Sequence, residues 1–177
     1  MAILKVTRLG HPLLRTPAQA VPKERISSPE IQRFIDDMIE TMREYDGVGL
    51  AAPQVHASQQ IAVIEVHGNR RYPGQAAVPL TVLINPRILR MSKSQESDWE
   101  GCLSIEELRG EVPRADALEL EAYDRQGKRV HYEVRGFFAR IIQHECDHLA
   151  GKVFIDRMPD LTKLAYLREF LRYWQQD

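Results

Sequence analysis

Between positions 28 and 47 the apolar residues recur every three or four places. Ile31, Phe34, Ile35, Met38, Met42 and Tyr45 share one side, and acidic and basic residues fill the other. Ser28 supplies a capping hydroxyl, Pro29 takes the first helical position, and Asp46-Gly47 ends the pattern, so a helix packed by that stripe is expected. Ile61 to Val66 and Thr81 to Ile84 then read as strands, the second stopping at the Asn85-Pro86 break. Leu118, Leu120 and Ala122 alternate with Glu119, Glu121 and Tyr123. Val130, Tyr132 and Val134 alternate likewise after Asp124-Arg125-Gln126-Gly127, which predicts an antiparallel hairpin. The helical period returns from Gly136 to Ala150, with Phe137, Ile141, His144 and His148 on one face and Gly151 as its stop. A last helix is expected over about 160–175, carrying Leu161, Leu164, Leu167, Leu171 and Trp174, and 67–79 reads as a surface loop. Strands, a hairpin and helices without β-α alternation predict an α+β fold, with antiparallel or mixed sheets packed around the 136–150 helix. No repeat or linker divides the 177 residues, so one domain over 1–177 is expected.

Composition narrows this picture mainly by exclusion. Hydrophobic content of 44% and charged content of 28% are ordinary for a globular chain. A formal charge of -1 gives no basic surface for DNA or RNA. No apolar run approaches membrane-spanning length, and Met1 to Arg8 lacks the apolar core of a secretion signal, so a cytoplasmic location is expected. Two cysteines, Cys102 and Cys146, do not make a disulfide framework. Cys146 lies on a different helical face from the histidines and reads as a small buried apolar residue.

The chemistry concentrates in Gln143-His144-Glu145-Cys146-Asp147-His148. Imidazoles at i and i+4 face one metal ion, and the intervening glutamate can act on its water without being a ligand. Such a site usually takes a third protein ligand. Position 154, where the long metzincin pattern needs histidine, holds Phe154. Two alternatives stay open on residue type alone. Glu169 stands at a thermolysin-like distance and would make a metallopeptidase. Cys102, in Glu100-Gly101-Cys102-Leu103-Ser104, would supply a thiolate suited to zinc or ferrous iron.

Three segments together resemble the motifs of the peptide deformylases: Gly47-Val48-Gly49-Leu50-Ala51-Ala52-Pro53-Gln54, Glu100 to Ser104, and His144 to His148, in the family's order. The resemblance spans about 5–155. It implies a single catalytic domain in which Cys102, His144 and His148 bind one divalent metal. That metal is expected to be Fe2+, with Zn2+, Ni2+ or Co2+ able to substitute. The implied substrates are N-formylmethionyl nascent peptides, hydrolysed to formate and a free amino terminus. Glu145 would be general base and acid, with Gln54 and the Leu103 N–H on the oxyanion. Gly49 would bond the peptide backbone and Arg109 would lie near the substrate chain. Val48 and Phe137 are candidates for the methionine pocket. Asp147 would either steady a histidine or pair with an arginine. The 160–175 helix would pack on its own domain or dock on the ribosome near the exit tunnel, the first being the expectation. Two positions depart from the family pattern. Ile105-Glu106-Glu107 lacks a proline common after the aliphatic residue, and Arg140 places a charge one turn before His144, where it would border the pocket mouth.

Overall fold

In the computed structural model, residues 2–68, 72 and 74–175 are described. Helix α1 (Pro29–Glu44) starts where the pattern places it, with the Ser28 hydroxyl accepting the Ile31 N–H at 3.4 Å. It stops at Asp46, whose φ of 51° is left-handed. There the Asp46 N–H donates to the Arg43 carbonyl and the Gly47 N–H to the Met42 carbonyl, satisfying the last turn.

Five strands form an antiparallel sheet in the order β1-β2-β3-β6-β7: β1 (Gly49–Ala51), β2 (Ile61–Val66), β3 (Val78–Met91), β6 (Ala117–Tyr123) and β7 (Arg129–Arg135). A second sheet holds β4 (Gln95–Cys102), β5 (Ile105–Ala115) and β8 (Leu164–Tyr166), with β5 central. Pro113 is tolerated in this central strand because β8 pairs only with Leu108 to Gly110, so nothing beyond needs its missing N–H.

Alternation along β2 explains why the first sheet lies between two helices. Ile61 and Val63 pack with Ile31, Ile35, Met38 and Met42 of α1. Ile64 and Val66 pack on the other face with Leu118, Leu120, Ile141 and Ile142, the last two from α2 (Gly136–Leu149). Helix α2 touches β1, β2, β6 and β7 of one sheet and β5 of the other, so it is central as the apolar surroundings of its histidines suggest. Over the described residues the result is an α+β fold of antiparallel sheets and three α-helices.

Two expected boundaries are corrected. Strand β3 does not end at Asn85-Pro86 but runs through it as a bulge, with the register shifting between Ile84 and Arg87. Asn85 adopts φ 52°, and its side-chain amide both accepts from Val21 N–H and donates to Val21 carbonyl, each at 2.8 Å. A tertiary partner thus turns a breaker into a bulge. The single C-terminal helix is also replaced, by a 3-10 turn at Leu161–Lys163, strand β8, and α3 (Leu167–Tyr173). Leu161 and Leu171 are exposed, so the leucine spacing does not mark one buried face. Helix α3 packs on its own domain through Trp99 of β4, whose ring lies 4.9 Å from Phe170 and 5.2 Å from Trp174. The expected loop over 67–79 falls partly outside the described residues, and Val78 and Pro79 already belong to β3. Among the described residues no helix is long and apolar enough to cross a membrane.

Candidate active site

Strand β4 delivers Cys102 to its end, where Leu103-Ser104 turns the chain into β5 and Cys102 pairs with Ile105. Helix α2 brings His144 and His148 alongside, their ring centroids 5.0 Å apart. One ligand atom from each of Cys102, His144 and His148 lies within 4.8 Å of the others, and Cys102 Sγ is 3.2 Å from His148 Nε2. The helix is pinned to β5 by Gln143, whose side chain accepts from Ala115 N–H and donates to Ala115 carbonyl at 3.0 and 2.9 Å. Phe154, the residue that closed the metzincin option, stacks on His144 at 6.4 Å.

Charge on these groups follows from their contacts. Burial alone would raise the Cys102 thiol, but His148 and His144 beside it hold it well below the usual thiol range. Burial would lower His144, and Cys102 and Glu100 reverse that and hold it well above the usual imidazole range. Glu100 Oε2 lies 2.9 Å from His144 Nδ1. A carboxylate only accepts, so Nδ1 carries a proton, and Nε2 is the nitrogen that gives up its own when a cation binds. The same carboxylate accepts from Arg114 at 2.9 and 3.0 Å and from Arg140 at 2.9 Å. Burial pushes Glu100 up, and His144 and Arg114 overcome it, leaving the group well below the usual carboxylate range.

The donor set fits a divalent metal. A thiolate and two imidazoles form a three-ligand set that leaves one position open, as hydrolytic sites require. Two buried atoms beside it, Glu145 Oε2 and His148 Nδ1, have no hydrogen-bond partner among the described residues. Glu145 is pushed up to about 7, burial being the largest cause; His144 and His148 oppose the shift and Cys102 and Glu100 add to it. A buried carboxylate that titrates near neutrality is suited to take and return a proton.

The cavity at this cluster is lined by Val48, Gly49, Gln54, Leu103 and Phe137 as well as by Cys102, His144 and Glu145, so most of the residues singled out by sequence meet there. Gln54 is buried; its Oε1 accepts from Ala51 N–H at 2.8 Å, so its NH2 points at Cys102 Sγ and Ser104 Oγ, both 3.4 Å away. Gly49 has a reason beyond substrate access: a Cβ there would overlap Glu145 Oε1 and press on Ile141. Arg109 is buried rather than on the surface. Its guanidinium lies against Gly101 and donates to the Leu108 carbonyl at 2.9 Å, and it is not among the residues lining the cavity.

Sequence reasoning misplaced some neighbours. Arg140 lines the cavity but is buried, donating to the Val112 and Glu96 carbonyls at 2.9 and 2.6 Å as well as to Glu100. Of the two roles open to Asp147, the second holds: it pairs with Arg114 and Arg157, and burial, which raises it, is outweighed by those arginines. The histidine-orienting role falls to Glu100, which stands in the quoted motif but whose partners lie 14, 40 and 44 residues away. Cys146 is half-buried rather than buried, and its thiol is pushed up to about 12 by burial and by Glu145 and Asp147. Glu169 is exposed on α3, outside the Cys102-His144-His148 cluster, which removes the metallopeptidase ligand set.

Known proteins resemble this chain over most of its length. A family model described as polypeptide deformylase matches residues 3–164. Peptide deformylase 1 of Bordetella pertussis is 47% identical over 162 residues, covering 91% of this chain and 90% of its own length. Peptide deformylase 2 of Pseudomonas putida is 43% identical over 164 residues, covering 93% and 92%. Among solved structures, the Met-Ala-Ser-bound class I type b peptide deformylase of Acinetobacter baumannii superposes with a TM-score of 0.86 at 37% identity, over 89% of this chain and 99% of that one. A peptide deformylase of Synechococcus elongatus in complex with actinonin gives 0.82 at 37%, over 97% and 86%. The matched span contains all three segments that meet at Cys102, and the chain belongs to the peptide deformylase family.

Proposed function

We propose that this enzyme hydrolyses the N-formyl group of peptides beginning with formylmethionine, within one catalytic domain over 1–177, and that Cys102, His144 and His148 hold the divalent metal it needs. The observation that carries the reading is the placement of an unpartnered, buried Glu145 oxygen beside that three-ligand cluster, in a cavity that also has apolar walls of Val48, Phe137 and Ile141. A metal bound there supplies a Lewis acid that brings the pKa of water close to neutrality. Iron is the expected occupant by family resemblance, and the thiolate-imidazole set equally accepts zinc.

The residues divide the remaining work. Glu145 takes the proton of the attacking water and returns it to the amide nitrogen as the C–N bond breaks, giving formate and a free amine. As the formyl carbon becomes tetrahedral its oxygen gains negative charge, and the Gln54 NH2 and Leu103 N–H supply donors to it. Glu100 holds His144 in the tautomer that leaves Nε2 free. Val48 and Phe137 offer apolar walls for the methionine side chain, with Gly49 left to the peptide backbone.

The test is formate release from formyl-Met peptides with metal content measured on the same sample. Cys102→Ser is expected to lose both the metal and the activity; retained metal with full turnover would overturn the ligand assignment. Gly49→Ala should keep the metal yet lose roughly 10²-fold or more in turnover, because the added methyl displaces the general base. A fully active Gly49→Ala enzyme would mean that Glu145 acts from another position.

A further inference from the structure

The extended segment 2–9 meets the active site twice without placing a side chain in its cavity. It begins along α1, where Ala2 N–H donates to Asp37 Oδ1 at 2.6 Å and Leu4 N–H to Thr41 Oγ1 at 2.9 Å. Val6 is buried with the α1 core. Thr7, also buried, donates its N–H to the Gln54 carbonyl at 2.7 Å, and its hydroxyl accepts the His56 N–H at 3.3 Å. Two residues later the Leu9 N–H donates to the Ser104 carbonyl at 3.0 Å, while Arg8 between them pairs with Glu106 at 2.6 Å. A three-residue strap thus joins the turn that presents Gln54 to the turn that presents Leu103.

Both turns need outside support. The 3-10 segment Ala52–Val55 is a single short turn, intrinsically weak, that exits through His56 at a left-handed φ of 62°. Leu103-Ser104 is only the two-residue tip between β4 and β5. The Gln54 amide itself reaches the second turn at 3.4 Å, the long edge of hydrogen bonding, whereas the strap bonds are 2.7 and 3.0 Å. Two extended residues span at most about 7 Å, so a strap held at both ends sets a length.

We propose that Thr7–Leu9 is a positioning element of the active site, fixing the separation of these two turns and hence of the Gln54 amide and Leu103 N–H that share the oxyanion. This rests on the oxyanion reading of Gln54 and Leu103 given above. It also gives Glu106, which replaces the usual proline, a role: its carboxylate holds the middle of the strap through Arg8.

Leu9→Pro cuts one arm cleanly. Arg8 to His11 form a turn closed by His11 N–H to the Arg8 carbonyl at 3.1 Å, with Gly10 at φ 102°, a type II arrangement. Leu9 occupies the first central position, where proline is favoured, and its side chain is exposed. The substitution therefore removes little besides the N–H that Ser104 accepts. The expected result is a fall in kcat of about fivefold, the factor for one net hydrogen bond. KM for a formyl-Met peptide and the thermal midpoint should stay close to wild type. Thr7→Val, which deletes the hydroxyl at constant shape, should lower kcat in the same way, and Thr7→Ser should restore it. Gln54→Ala alone should cost roughly 10²–10³ in kcat. Adding Leu9→Pro to it should cost almost nothing more, since an absent amide needs no positioning. Wild-type kcat in both Leu9→Pro and Thr7→Val overturns the proposal, as does a loss that multiplies fully in the double variant. Full activity of Gln54→Ala is a separate failure, which overturns the oxyanion reading and the strap's role with it.

Discussion

Glu145→Gln is expected to retain its metal and lose formate release by roughly 10²–10⁴-fold, the range for removing a general base. The three ligand atoms are untouched by the change, and the amide fills the same space beside Gly49. The same variant carries a stability signature in metal-free protein. The folded-state pKa of Glu145 is raised to about 7 from 4.5. A raised carboxyl contributes stability that is fully present below the unfolded value and is lost as pH rises through the folded one. Between pH 4.5 and pH 8 the wild-type apoprotein should therefore lose roughly 3 kcal/mol relative to Glu145→Gln. The two proteins differ at position 145 alone, so the divergence of their pH profiles is read at that residue. Denaturant unfolding of the two apoproteins at both pH values checks this, and parallel stability curves would show that burial does not raise the carboxyl.

The second large effect is on the scaffold. Glu100→Ala should cost about 3–5 kcal/mol of stability, because it strips the shared carboxylate from two buried guanidiniums, Arg114 and Arg140. It also removes the acceptor that orients His144, so metal affinity should fall roughly 10–100-fold. Urea unfolding gives the first quantity and competition against a chelator the second. Glu100→Gln separates them: it keeps the shape and one acceptor for His144 while losing the charge that the arginines face. If Glu100→Ala unfolds within about 1 kcal/mol of wild type and binds metal as tightly, the carboxylate is not the centre of this cluster.

What could be read from the chain was whatever local periodicity encodes. The capped stripe of α1, the alternation of β6 and β7, and the helix bearing His144 and His148 each announce themselves within a few residues, because one face of each is apolar and the other is not. The features that escaped depend on partners far along the chain. Asn85-Pro86 carries every local sign of a stop, and only the Val21 backbone, 64 residues away, makes it part of a strand. Leu161 and Leu171 keep a helical spacing, but both stay exposed among the described residues, so the spacing produces a turn, a short strand and a seven-residue helix. The metal-ligand candidates were legible because histidine and cysteine are chemically conspicuous at their spacing. Glu100 and Arg114 were not, since a charged residue in a polar stretch looks solvated until the fold closes over it.

Both tryptophans of the chain, Trp99 and Trp174, stand in the one aromatic cluster where α3 meets β4. Neighbouring side chains on a strand face opposite ways, so Trp99 points away from the side on which Glu100 meets His144. Intrinsic tryptophan emission in this protein is accordingly a gauge of how the C-terminal helix is seated. A melting curve followed by that emission would register release of α3, and ultraviolet circular dichroism or a probe on α2 would show whether the catalytic core is lost with it.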